Sequence, residues 1–198
     1  IDSGFEVRKL SFPVYESDSS AAVRMYLNGK LSEHAEDISA YAASTLFAQD
    51  RFLSFKSDWQ KDYDAGKIIL CDRYVGSNMI HQACKLKQEE KDKFLDWLDD
   101  FEYGIYGLPR TDFTFFLDMP PEQAKKLISG RLNKIDNSNS QDIHERDSEY
   151  LKKSYENACF VAEKFGWIRI SCVRNGLVRS ISDINSEICV GIDKLLNK

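Results

Sequence analysis

Two charged side chains, Asp72 and Arg73, directly follow the apolar run IILC at residues 68–71. The run is too short and too apolar for an amphipathic helix, and predicts a strand buried on both faces, with a helix after it. Ligands bind at the carboxyl ends of parallel strands, where a carboxylate can hold Mg²⁺ through water and an arginine can bind a phosphate through two hydrogen bonds. The alternative is structural, with Asp72 capping the next helix and Arg73 pairing with it.

A second pair, Phe47 and Arg51, lies four residues apart in the stretch YAASTLFAQDRFLS. Residues four apart share one face of a helix. An aromatic ring beside a guanidinium can stack on a nucleobase and donate a hydrogen bond to its exocyclic oxygen. By itself the pattern is more typical of a core phenylalanine beside a solvated arginine, so the nucleobase hypothesis needs support from other residues.

Other polar side chains have two interpretations each. Tyr15, in the stretch FPVY, follows a strand and a rigid turn, so its phenol could meet a phosphate or a metal-bound water, or pack under a loop. Arg131, Lys134 and Arg146 lie around the low-complexity stretch NKIDNSNSQD at residues 133–142. They could close over a triphosphate as part of a lid, or form an ordinary solvated helix end.

Composition excludes several classes of protein. The chain has 198 residues and a net charge of −5, which argues against a general nucleic-acid binder. We find no apolar stretch near the ~20 residues that span a bilayer, and no secretory signal. Five dispersed cysteines without a C-x-x-C pair argue against zinc and disulfides, and favour a reducing, cytoplasmic compartment; they are Cys71, Cys84, Cys159, Cys172 and Cys189.

The positions of these residues depend on alternating strands and helices. We predict strands at residues 6–12, 67–71, 112–118 and 167–172. Helices are predicted at residues 18–28, 39–64, 77–85, 89–103, 121–131, 143–165 and from 182 onward, and Asp18 or Ser19 is expected to cap the first of them. Such alternation predicts an α/β fold with a parallel sheet covered on both faces. With no internal repeat or linker, the chain is expected to be one domain, residues 1–198, with residues 131–146 as a lid segment.

Five stretches occur in one order along the chain: FPVY, STLFAQDRF, DRYVGSN, FLDMPPE and HERDSEYLKKSYENA. In sequence and spacing they resemble thymidylate kinase, over about residues 5–192. The resemblance implies a three-layer P-loop NTPase-type fold, with a central parallel sheet flanked by helices, and usually a homodimer. It also implies transfer of the γ-phosphoryl group of MgATP to dTMP, giving dTDP for dTTP biosynthesis.

The resemblance assigns the nucleoside of dTMP to four side chains. It implies that Phe47 stacks on thymine, that Arg51 hydrogen-bonds the carbonyl edge of the base, and that Asn78 contacts the base. His81 stands where some relatives have Tyr or Phe against the 2′ position of the sugar. A preference for the deoxy sugar is therefore expected, though on a weaker match than the base contacts.

The phosphates and the metal are assigned in the same way. Arg73 matches the family arginine at the dTMP phosphate, and Asp72 matches the acid near Mg²⁺. Tyr15 belongs to the FPxY form of a turn in which other members have Arg. The segment 131–146 corresponds to the lid over ATP, and the loop 173–180 is expected beside adenine. Phosphoryl transfer needs positioning and charge neutralisation, which such residues and Mg²⁺ supply.

The chain departs from the family pattern in its phosphate-binding loop. Neither Gly29-Lys30 nor Gly66-Lys67 fits G-x-x-x-x-G-K-[ST], the loop whose amides and lysine hold the ATP phosphates. The opening IDSGFEV resembles the end of the helix that follows such a loop. We expect that roughly two dozen residues, one strand–loop–helix unit, precede this sequence in the full protein. The alternatives are a truncated or non-catalytic thymidylate-binding module and a deoxynucleoside kinase.

Overall fold

The computed structural model describes residues 4–32, 34–128 and 148–196. Within these ranges the chain forms two compact units. One lies within Ile1–Arg110 and Leu132–Asn157, and the other within Thr111–Arg131 and Ala158–Lys198. None of the helices in the described ranges is long and apolar enough to cross a membrane.

The first unit is built on two parallel strands. Strand β1 (Val7–Ser11) pairs with β2 (Ile68–Asp72), in a register that runs from Val7 opposite Ile68 to Ser11 opposite Asp72. Parallel strands need a long crossover. Here the crossover contains three helices, α1 (Ala21–Leu27), α2 (Ala40–Ser54) and α3 (Gln60–Asp64). The predicted alternation of strand and helix is confirmed for this part of the chain.

Helix α2 continues into α3 through a π-helical turn at Phe55–Trp59. After β2 come α4 (Val75–Ala83) and α5 (Gln88–Asp99), and α5 ends in a second π-helical turn, Asp100–Ile105. Such turns are rare and occur frequently at functional sites. The predicted long helices therefore have the expected extent but contain two irregular turns.

Two local predictions are wrong. Strand β2 is not buried on both faces, since Leu70 is 45% exposed and the strand pairs on one side only, with β1, among the described strands. The predicted first helix begins with a 3₁₀ turn at Asp18–Ser20, which precedes α1, and its cap is Ser17 rather than Asp18 or Ser19. The Ser17 hydroxyl accepts a hydrogen bond from the Ser19 amide. A serine before a helix is as good a cap as an aspartate, so the pattern allowed either.

The second unit also contains a parallel pair, β3 (Phe115–Asp118) with β4 (Ile168–Ser171). Helix α6 (Pro121–Ile128) follows β3, and the C-terminal half of α7 (Ser148–Lys164) precedes β4. Next comes an antiparallel hairpin of β5 (Val173–Arg174) and β6 (Leu177–Val178), which the sequence analysis treated as a loop. Its Asn175-Gly176 turn has positive φ at both residues, the favoured two-residue hairpin turn. Helix α8 (Ile181–Leu196) ends the described chain.

Gly191 lets α8 approach β3 closely. A Cβ atom at this position would lie 2.9 Å from Cε1 of Phe115. We expect Gly191→Ala to lower the free energy of unfolding by about 1–3 kcal/mol through overpacking, despite the better helix propensity of alanine. Urea unfolding followed by circular dichroism measures this.

Gly104→Ala is the matched control. Its Cβ would meet only the side chain of Asp100, with Oδ1 at 2.7 Å and Cγ at 3.5 Å, and that exposed carboxylate can rotate away. We expect no loss of stability from this variant. Equal unfolding curves for the two variants would show that the contact with Phe115 is not tight.

Candidate functional site

The turns that follow β1 and β2 are fixed to each other. The backbone N–H of Phe12 donates to the carbonyl oxygen of Asp72 at 3.0 Å, which extends the β1–β2 ladder by one hydrogen bond. The Phe12 ring lies 5.8 Å from that of Tyr74, and Trp59 contacts both rings at 6.4–6.5 Å between centroids. All three rings are at most 8% exposed. This aromatic cluster holds the FPVY and DRY turns side by side at one end of the strand pair.

Arg73 has an unusual backbone conformation. Its φ is +66°, in the left-handed region, which costs a non-glycine residue about 1–3 kcal/mol. The side chains of Asp72 and Arg73 are exposed, and neither makes a hydrogen bond or ion pair with a described residue. Helix α4 begins after Tyr74 without a side-chain cap. The structural alternative, in which Asp72 caps this helix and pairs with Arg73, is therefore wrong within the described residues.

The Asp72 carboxylate is suited to hold Mg²⁺ through water, because it is exposed and uncommitted. The described residues contain no cluster of three or more side chains that could hold a metal ion. A magnesium ion at this position would therefore take most of its ligands from water and from bound phosphates, as Mg²⁺ commonly does.

The FPVY turn is anchored by Asp50, a residue that the sequence analysis did not single out. The Asp50 carboxylate is 1% exposed and accepts hydrogen bonds from the Val14 amide at 3.0 Å and the Ser19 hydroxyl at 2.5 Å. Arg24 donates to the carbonyl oxygens of Tyr15 and Ser17, each at 2.7 Å. A sequence signal for Asp50 existed: it is an acidic residue on an otherwise apolar face of a predicted helix, next to Arg51.

Tyr15 and Phe47 border the same apolar cluster. The cluster consists of buried side chains from α1, α2 and α7 and from the residue that follows α4: Val23, Tyr26, Leu27, Ala43, Tyr150 and Cys84. Tyr15 and Phe47 are half-buried at its edge, and the Phe47 ring meets Tyr26 edge-on at 6.0 Å. The Phe47 side chain is thus only partly buried in the core, and part of it remains accessible to solvent.

Arg51 and Asn78 meet at a buried carboxylate, Glu102, which the sequence analysis missed. Nε and NH2 of Arg51 donate to Oε2 and Oε1 of Glu102 at 2.6 and 2.7 Å. Nδ2 of Asn78 donates to Oε1 of Glu102 at 2.9 Å and to the carbonyl oxygen of Ser44 at 3.1 Å. All three side chains are at most 2% exposed. Arg51 is therefore not the solvated neighbour that a lone F-x-x-x-R pattern favours.

Comparison with known proteins identifies the family of this chain. A family model described as thymidylate kinase matches residues 6–174. The thymidylate kinase of Mycobacterium tuberculosis is 30% identical over 155 residues, which cover 77% of this chain and 70% of the relative. The chain belongs to the thymidylate kinase family. Membership assigns it the P-loop NTPase fold, in agreement with the α/β class predicted from the alternating elements.

Archaeal relatives extend the match along the chain. A "Probable thymidylate kinase" of Pyrococcus horikoshii is 27% identical over 189 residues, covering 94% of this chain and 81% of the relative. Another from Thermococcus onnurineus is 30% identical over 161 residues, covering 81% and 69%. The likeness is therefore not confined to the site.

Two further sets of residues were predicted from the resemblance to thymidylate kinase. Arg131, Lys134 and Arg146, predicted for the lid, fall outside the described residues. The segment 173–180, expected beside adenine, belongs to the second unit and contains the β5–β6 hairpin. The roles of both sets stay predictions.

His81 is held as a neutral ring. Its ring stacks on that of Tyr150 with centroids 6.4 Å apart, and the Tyr150 hydroxyl donates to the His81 carbonyl oxygen at 2.8 Å. Burial, together with the positive charges of Arg73 and Lys85, lowers the pKa of His81 to about 3 from its ordinary 6.5. The ring in the position that the resemblance assigns to the sugar is thus uncharged at neutral pH.

This pKa predicts a pH dependence of stability. Between pH 6.5 and 3 the unfolded chain binds a proton at His81 that the folded chain does not, so stability is full above pH 6.5 and falls below it. In His81→Phe, which keeps an aromatic ring against Tyr150, the pH dependence that His81 contributes to stability is absent. As pH falls, the free energy of unfolding of the variant should therefore rise relative to that of the wild type, by at most about 1.4 kcal/mol per pH unit. Denaturant unfolding at several pH values between 7 and 5 tests this, and a constant difference contradicts it.

The anchoring role of Asp50 predicts different results for two substitutions. Asp50→Ala leaves the half-buried Val14 amide and the Ser19 hydroxyl without their acceptor, and should cost about 1–3 kcal/mol of unfolding free energy. Asp50→Asn can still accept from Val14, while its NH₂ group donates to the Ser19 hydroxyl oxygen, so we expect a smaller loss. Thermal unfolding of both variants provides the comparison. Equal losses would mean that charge, rather than hydrogen bonding to the turn, is what Asp50 contributes.

Proposed function

We propose that this chain transfers the γ-phosphoryl group of ATP to dTMP and forms dTDP, the reaction for which its family is named. The observation that carries the proposal is the uncommitted Arg73 at the end of β2, exposed and in a left-handed conformation. A guanidinium at this position that was buried and fully occupied by a carboxylate could not receive a phosphate through two hydrogen bonds. An exposed guanidinium held on a rigid turn is instead suited to a planar, two-pronged contact with phosphate.

In this proposal the dTMP phosphate binds Arg73, and the base lies against the face of α2 that carries Phe47 and Arg51. Phe47 provides the aromatic plane, while Arg51 and Asn78 supply hydrogen bonds to the edge of the base. His81, neutral and stacked on Tyr150, faces the sugar, and Tyr15 lies at the edge of the same apolar cluster. Each of these residues belongs to the first unit of the chain.

The chemistry requires little from the protein beyond position and charge. Mg²⁺, when bound with ATP near Asp72, supplies neutralisation of the phosphate charge. Arg73 neutralises and orients the accepting phosphate, which converts an encounter of two anions into a positioned pair. We propose that Arg131, Lys134 and Arg146 contribute positive charge to ATP and help exclude water, so that ATP is not hydrolysed instead.

The cellular form of the enzyme is a further proposal. All five cysteines are free thiols, which is consistent with a cytoplasmic location. We propose a homodimer, as the family resemblance implies, since large apolar side chains such as Tyr41 and Leu53 on α2 are 37–40% exposed. Light scattering of the purified protein reports the oligomeric state.

Arg73→Ala tests the proposed function. We expect it to lower kcat/KM for dTMP by ~10²-fold or more, the scale of losing one preorganised charge contact in the transition state. ADP formation by the intact gene product, measured with ATP, Mg²⁺ and dTMP, gives this value. Arg110→Ala is the matched control, because Arg110 pairs with Asp99 at the surface with its side chain 62% exposed. A loss below threefold for Arg73→Ala would remove Arg73 from the mechanism.

The same assay separates the other functions. Binding of dTMP by calorimetry without ADP formation in the intact gene product would indicate a non-catalytic thymidylate-binding module. Turnover with thymidine in place of dTMP would indicate a deoxynucleoside kinase. Equal rates with dTMP and dAMP would contradict the stacking role of Phe47, which is proposed for a pyrimidine.

A further inference from the structure

Glu102 joins the two side chains that are proposed to contact the base. It is fully buried, and its two carboxylate oxygens accept three hydrogen bonds, two from Arg51 and one from Asn78, at 2.6–2.9 Å. It lies in the π-helical turn that ends α5, whereas Arg51 lies on α2 and Asn78 on α4. Three separate elements are therefore tied together at one carboxylate.

These contacts determine which way the Asn78 amide faces. Both partners of Nδ2, the Ser44 carbonyl oxygen and the Glu102 carboxylate, are groups that only accept hydrogen bonds. The NH₂ group must therefore face them, and Oδ1, an acceptor, faces the opposite direction. Arg51 uses Nε and NH2 for Glu102, so that NH1 remains as a donor.

Asn78 is bonded to Ser44 on α2, and Phe47 and Arg51 follow Ser44 on that helix by three and seven residues. These three residues share one helical face. The base-reading groups beside the Phe47 ring are then one donor, from Arg51, and one acceptor, from Asn78. This pair is complementary to a base edge with a carbonyl oxygen next to an N–H, as in the imide of thymine or uracil. Cytosine presents an amino donor and a bare ring nitrogen, so both contacts are mismatched.

We infer that Glu102 is a positioning residue for base selection: it fixes the Asn78 amide and the Arg51 guanidinium in the orientations that accept an imide base and reject cytosine. The inference rests on the proposed function, since it assumes that the base lies against Phe47. Stability alone does not require these charges, because a buried ion pair is often no more stabilising than packed apolar side chains of the same volume. What the carboxylate adds is an acceptor that donors from both residues must face.

Glu102→Gln tests the inference with little change in size. A glutamine amide can donate to Asn78, so that of the two groups that hold the Asn78 NH₂ group only the Ser44 carbonyl oxygen remains. The Asn78 amide can then turn, at the cost of that one hydrogen bond, and present its NH₂ group to the ring nitrogen of cytosine. Calorimetric titration with dTMP and with dCMP gives the ratio of the two dissociation constants. We expect the preference for dTMP to shrink by ~10-fold or more, the size of one good hydrogen-bonding discrimination. A variant that is only partly folded lowers the binding stoichiometry and leaves this ratio unchanged.

Asp99→Asn is the matched control, since Asp99 also receives two hydrogen bonds from an arginine, Arg110, at 2.7 Å each, but at the surface. The Asp99→Asn variant should prefer dTMP over dCMP as strongly as the wild type does. If Glu102→Gln weakens the binding of dTMP and of dCMP by the same factor, the preference is unchanged. Glu102 is then structural, and the inference is overturned.

Should Glu102→Gln fail to fold, Glu102→Asp replaces it, because it keeps a negative charge opposite Arg51 while the carboxylate, one methylene shorter, can no longer meet both Arg51 and Asn78 as before. Retention of the wild-type preference by this variant would overturn the inference, and its loss would support it. A wild-type chain that binds dTMP and dCMP equally would also overturn it. Preferential dTMP binding without ADP formation by the intact gene product would instead contradict the proposed function and leave the base selection standing.

Discussion

The parallel pairing of β1 with β2 is the constraint on which the site depends. One hydrogen bond beyond the strands, from the Phe12 amide to the Asp72 carbonyl oxygen, and the rings of Phe12, Trp59 and Tyr74 fix the two turns that leave the strands. Among the described residues, Arg73, proposed for the dTMP phosphate, lies on one of these turns, and Asp72, proposed for Mg²⁺, directly precedes it. Because the rings are buried, their packing is part of the folding free energy, so the site is shaped before any ligand arrives.

A second constraint comes from polar groups that are buried with their partners. Asp50 holds the turn after β1, and Glu102 holds Arg51 and Asn78. Burying a charge is costly unless it is paired and hydrogen-bonded, and removing one partner leaves the other exposed to the full desolvation cost. The two carboxylates thus restrict side-chain orientation at a cost in stability that an apolar core would not carry. That restriction is what selective recognition of one base edge requires.

Sequence patterns predicted most of the elements, because apolar periodicity and turn residues are local signals. They also predicted that Phe47 and Arg51 share a face. Glu102 could not be found this way: within the acidic, aromatic stretch around α5 nothing local distinguishes it from the exposed acids beside it, and only contacts with residues 24 and 51 positions away reveal its role. The Asn175-Gly176 hairpin, by contrast, carried a local signal that the alternation of longer elements obscured. The exposure of Leu70 depends on which strands pair, and no pattern within β2 specifies that.

The left-handed backbone at Arg73 also limits how this position can change. Glycine, asparagine and aspartate adopt such a φ most readily, and none of them carries a positive charge. A substitution that relieves the backbone therefore removes the cation, and one that keeps a cation retains the strain. The strain is also already present in the folded chain, so it counts against stability and not against affinity for a phosphate. Directed evolution toward greater thermal stability would be expected to replace Arg73 early, and under the role proposed for Arg73 that replacement would also lower activity.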